Sequence, residues 1–142
     1  RLRFTYVQPK KYPSPSKMKG IPRPAPHPLL LALHEQKDTY NSKGNAEAYP
    51  GQAVLSRRFP KKAFSVLYDN WLMLAPVVAR AKWLESNGAI RHSYSTKVLN
   101  RFWQHYHVDF DRIVLDGTNG AAALAAVYPS VFAGLVLRGG KL

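Results

Sequence analysis

Asp116-Gly117-Thr118-Asn119-Gly120 is the segment of this chain best equipped for chemistry. The apolar run Ile113-Val114-Leu115 leads into it, and an alanine-rich stretch starting at Ala121 follows at once. A strand that enters a glycine-flanked turn and then a helix lifts one side chain clear of the backbone, where a hydroxyl could attack a carbonyl carbon. Thr118 is that hydroxyl. It needs a general base to become a useful nucleophile, yet the residues from Asn119 to Leu142 include no Asp, Glu or His. All five histidines (His27, His34, His92, His105 and His107) precede the turn. The plainer expectation for Thr118 is a hydroxyl that caps the following helix.

The surrounding order of segments resembles the α/β-hydrolase family, in particular its esterase, polyhydroxybutyrate-depolymerase and prolyl-oligopeptidase-like members. Tyr106, Val108, Asp109, Asp111, Arg112 and Ile113 match the approach to the turn, and Tyr128, Pro129, Phe132, Ala133 and Gly134 match the exit. Phe4 to Lys10 is similar to an early strand of that family, and Pro28 to His34 to the next one. The likeness runs from about residue 3 to 138 and is weak between about 36 and 95. It implies a nucleophile at Thr118 in a G-x-S-x-G frame, where this chain has Asp116 for the first glycine and Thr for serine. It also implies an oxyanion site at His-Gly, where this chain reads His34-Glu35. A carboxylate at Glu35 has the wrong sign beside a developing oxyanion. Asp116 is expected to intrude where strand and helix pack closely. The resemblance further implies an acid and a histidine after the nucleophile. Thr118, His34 and Glu35 are therefore read as vestiges, with no catalytic residue.

Charge points elsewhere. Lys and Arg number 21 against 8 Asp and Glu, a formal net charge of +13. Such an excess favours a polyanionic partner, because neutralising phosphates releases counterions. Arg1, Arg3, Lys10, Lys11, Lys17, Lys19 and Arg23 come before any acidic residue, and Arg57, Arg58, Lys61 and Lys62 form a second group. These are the candidate RNA-binding residues. Seven prolines between Pro9 and Pro28 predict an extended basic arm over residues 9–27. Tyr12, Tyr40, Tyr49 and Phe59 stand among the basic groups and could stack on bases. Without cysteine there is neither a disulfide nor a zinc-finger spacing. His105 and His107 lie two apart and cannot share a helix face, so neither metal nor cofactor is expected.

The elements that must position the turn follow from pattern. Strands are expected at Arg3–Gln8, Pro28–His34, Asn70–Ala75, Arg112–Asp116 and Gly134–Arg138; the continuous apolar runs suit strands buried on both faces. Helices are expected over Gly51–Tyr68, with Pro60 interrupting the pattern, over Ser95–His105 and over Asn119–Val127. In the second of these Val98, Leu99, Phe102, Trp103 and Tyr106 form an apolar stripe. The apolar span Ala121–Leu137 is broken at Tyr128-Pro129, so no membrane span is expected. The pattern predicts an α/β fold in one domain over 1–142, and the resemblance implies a truncated α/β-hydrolase-like, mostly parallel sheet flanked by helices, with the basic proline-rich arm. Gly134–Arg138 would leave an open sheet edge that another chain covers.

These features together predict a non-catalytic, hydrolase-derived structural subunit of a large assembly. Its partners would be RNA, ribosomal RNA above all, and neighbouring subunits, as in a mitochondrial ribosome. A start at Arg1 fits removal of a presequence and a place in the mitochondrial matrix. The alternative is one piece of a split or cleaved serine-type hydrolase whose acid and histidine lie on another polypeptide.

Overall fold

The structure, a computed structural model, describes residues 3–10, 12, 24–77 and 92–139. These residues form a five-stranded sheet of order β1-β3-β2-β4-β5. The strands are β1 (Arg3–Val7), β2 (His27–Ala32), β3 (Leu72–Val77), β4 (Val108–Gly117) and β5 (Gly134–Leu137). Every pairing is parallel except β1 with β3. The helices are α1 (Pro50–Arg58), α2 (Ser65–Asn70), α3 (His92–His105) and α4 (Asn119–Val127).

The apolar runs become strands because both faces of the sheet are covered. Alternation sends Leu29, Leu31, Leu72, Leu74, Ile113 and Leu115 to one face, where they meet Leu99 and Phe102 of α3 and Ala121 and Leu124 of α4. The other face sends Leu30, Ala32, Met73 and Ala75 against Val54 and Leu55 of α1. A layer of helix on each side of a mostly parallel sheet is the stable solution for such strands.

Several boundaries differ from expectation for physical reasons. The helix expected over Gly51–Tyr68 is two helices: α1 stops at Arg58, and the Pro60 carbonyl accepts from the amides of Ala63 and Phe64 in a turn ahead of α2. β3 starts later and continues through Pro76 to Val77. Pro76 lies beyond the residues that pair with β2, so its missing donor breaks no rung on that side. β4 begins four residues early, at Val108, with a register shift against β2 between His27 and Leu29. In α3, Leu99 and Phe102 are buried, as is Tyr106 just past its end, while Asn100, Arg101 and Gln104 are exposed, as the helical spacing requires.

Of the arm expected over residues 9–27, positions 11 and 13–23 lie outside the described residues. Tyr12 is buried: its hydroxyl accepts from the His107 amide at 2.8 Å, and its ring meets His27 edge-on. Tyr12 is thus a core side chain and offers no free stacking face, and the same holds for Phe59, which packs against Phe64. Tyr40 and Tyr49 are exposed. No helix among the described residues is long and apolar enough to cross a membrane.

Candidate functional site

The connection from β2 passes by α1 on one face, and that from β4 passes by α4 on the other. β2 and β4 are neighbours, so their exits diverge and open a crevice at their carboxyl ends. Open α/β sheets take ligands at such a switch point. His34 and Glu35 arrive there after β2, and Asp116, Gly117 and Thr118 after β4.

In this chain the crevice holds a network of charges. Asp116 pairs in register with Ala32 and is wholly buried, 0% exposed. Arg58, in the last turn of α1, donates from Nη1 to Asp116 Oδ1 at 2.8 Å. Arg138, just after β5, donates from Nε to both carboxylate oxygens at 2.9 and 2.8 Å. The other arm of Arg58 reaches Asp38 Oδ2 at 3.1 Å. Arg138 also lies over the Phe59 ring, 5.2 Å from its centre. Two guanidiniums thus face two carboxylates, and each buried charge has an opposite one in contact. The helix end suits Arg58, since carbonyls at a C-terminus favour a cation.

The network bears on both regions that the sequence resemblance singles out. The Glu35 amide, a candidate oxyanion donor, donates to Asp38 Oδ2 at 2.7 Å, so it is already engaged by an anion. The Glu35 side chain turns to Lys37 at 3.1 Å. His34 is buried, and its Nδ1–H donates to the Glu35 carbonyl at 3.2 Å. Burial pushes the His34 imidazole below its ordinary range, against the pull of the Glu35 carbonyl and of Asp38. It is therefore a neutral ring at neutral pH.

Thr118 is half-buried at the start of α4, and its carbonyl accepts from the Ala122 amide at 3.0 Å. Its hydroxyl makes no capping bond, so the expected side-chain cap is replaced by the backbone alone. Asp116 does not intrude between strand and helix either. Successive side chains alternate across a strand: Leu115 faces α4, and Asp116 faces Arg58 on the α1 side. The close approach belongs to Gly117, where a Cβ would come within 2.9 Å of the Ala121 Cβ and 3.3 Å of the Leu33 carbonyl oxygen.

The expected RNA-binding residues separate. Arg1, Lys11, Lys17, Lys19 and Arg23 lie outside the described residues. Arg3, Lys10, Lys61 and Lys62 are exposed, and Arg3 also reaches the Ala48 carbonyl at 3.3 Å. Arg57 is exposed and pairs with Glu47 at 3.4 Å. Arg58 is the correction: its side chain is 9% exposed and committed to Asp38 and Asp116, so it cannot also hold phosphate. Asp38 and Arg138 complete the crevice, although the residue pattern had not singled them out. The available signal was Asp116 itself, since a carboxylate ending an apolar strand requires a cation.

No protein-family model matches this sequence, and no curated protein matches it significantly. Among solved structures, a thermostable esterase is similar over 94% of this chain, with a TM-score of 0.65 and 16% sequence identity. The chain spans 36% of the length of that esterase. At this identity the likeness establishes a mixed α/β, hydrolase-like fold and nothing finer.

Proposed function

We propose that this chain is a non-catalytic, hydrolase-derived structural subunit of an RNA-containing assembly, of which a mitochondrial ribosome is one example. The observation that carries the reading is the Asp38–Arg58–Asp116–Arg138 network at the switch point. A hydrolase needs space and uncommitted donors where the substrate carbonyl would sit. Charged side chains cluster at the switch point and the Glu35 amide serves Asp38, which supports a non-catalytic role. The net charge of +13 supports a polyanionic partner, and the exposed Lys10, Lys61 and Lys62 are available to one. Neighbouring protein would cover β5, the last strand of the described sheet.

The test pairs two measurements on the purified chain. Turnover of a short-chain aryl ester, with fluorophosphonate labelling, should be at background and unchanged by Thr118→Ala. Nuclease-sensitive RNA should co-purify with the chain from its native assembly. Labelling of Thr118 would instead favour the second reading, one piece of a split hydrolase. That reading draws on the placement of Thr118 at the strand-to-helix turn.

A further inference from the structure

A cleft that shares no lining residue with the switch point opens between the edge strand β1 and helix α3, with a volume of about 450 Å³. Phe4 and Tyr6 form its β1 wall, Arg101 and His105 stand on its α3 wall, and Phe102 and Tyr106 form its floor. The aromatic rings make one connected cluster. Phe102 stacks on Tyr106 at 4.5 Å, Tyr6 lies 5.6 Å from Tyr106, and Phe4 lies 6.2 Å from Tyr6. Tyr6 is the outermost ring at 48% exposed, whereas Tyr106 is 6% exposed. Burial, together with a hydrogen bond to Tyr6, raises the Tyr106 phenol above its ordinary range.

The helix wall supplies the charge. Lys97, Arg101 and His105 are all exposed and follow one another at a spacing of four residues. That spacing places them on a single stripe about 12 Å long. No residue lining the cleft is acidic. An exposed aromatic face, here that of Tyr6 backed by the buried rings, beside a basic stripe is the arrangement that single-stranded nucleic acid needs. Bases stack on the rings without regard to sequence, and cations track the phosphates. A double-stranded RNA, with its bases already stacked, would meet only the charges.

We infer that the β1–α3 cleft is a binding site for single-stranded RNA, in which Tyr6 stacks a base and Lys97 and Arg101 hold the flanking phosphates. The inference rests on the RNA half of the proposed function and assigns it a contact surface outside the basic groups named from the sequence. Gln104, also on the cleft, is placed to hydrogen-bond a base edge.

The test is fluorescence anisotropy of the full chain with a labelled oligouridylate, repeated with duplex RNA of equal length and with polyglutamate as competitor. Thermal melts check each variant. The chain should prefer the single strand, and polyglutamate should compete poorly. Lys97→Glu with Arg101→Glu, both on exposed positions, should weaken binding at least tenfold and flatten the salt dependence between ~50 and ~200 mM. Tyr6→Leu should weaken binding roughly five- to tenfold with the salt dependence kept, because it removes a stacking face and no charge. Lys61→Glu with Lys62→Glu, an equal charge change outside the cleft, should weaken binding less than the cleft pair does. If the chain binds RNA but only the Lys61 and Lys62 changes matter, the cleft assignment is overturned and the RNA reading stands. If the folded chain binds no RNA, both fall. A preference for duplex, or equal competition by polyglutamate, also overturns the cleft as a single-strand site.

Discussion

A carboxylate taken out of water needs compensation from its surroundings, and Asp116 receives it from Arg58 and Arg138. Replacing it by Asn would keep the shape and remove the charge that both guanidiniums address. Asp116→Asn should therefore destabilise the fold by about 3–5 kcal/mol. Urea unfolding measures this directly, and a loss well under 1 kcal/mol would mean that water screens the network. His34 gives a second prediction. Its folded pKa lies below the ordinary 6.5, so the unfolded chain binds this proton more readily. The His34 contribution is therefore intact above about pH 6.5 and is lost as the pH falls from there through the folded value. Stability measured across that window should decline toward acid, and His34→Gln should flatten the slope. Asp109 does not confuse the reading, because Arg112 lowers its pKa from a starting value of 3.8, well beneath the window.

Between elements, the close packing of α4 on β4 decides where the switch-point turn can sit. Gly117 leaves room for Ala121 and the Leu33 carbonyl, and an added methyl would meet both. Gly117→Ala should cost about 1–3 kcal/mol by overpacking. Ala121→Gly placed with it should recover part of that loss, giving a favourable coupling in a double-mutant cycle. Additive losses would show that the contact relaxes freely. These elements were largely legible in the sequence. Leu29 to Leu33 and Ile113 to Leu115 are apolar runs, and Leu99, Phe102 and Tyr106 recur at helical spacing. The early start of β4 was not, because Val108-Asp109-Phe110-Asp111 mixes charge with apolar residues and lacks a continuous run. The charge network was harder still. Arg58 and Asp116 are 58 positions apart, and only tertiary folding tells an inward arginine from its neighbour Arg57.

Across the whole molecule, the sheet is covered unevenly. Among the described residues, helices cover both faces of the central strands, whereas α4 packs on β5 and still leaves Leu135 and Val136 40% and 43% exposed. Being successive, they point to opposite faces, so both faces are thinly covered there, and the outer edge of β5 pairs with no other described strand. Such an edge invites pairing with another chain, while a net charge of +13 on every copy opposes it. Salt distinguishes these forces by sign. Screening weakens the repulsion between copies, so self-association through β5 should strengthen with added salt. RNA binding should weaken under the same change, because counterion release becomes less favourable. Sedimentation velocity over a range of protein and salt concentrations should show association that grows with both. Val136→Lys, which puts a charge on the edge strand, should suppress it while leaving the melting temperature nearly unchanged. A wild-type chain that stays monomeric at high salt and high concentration would mean that β5 is protected without a partner.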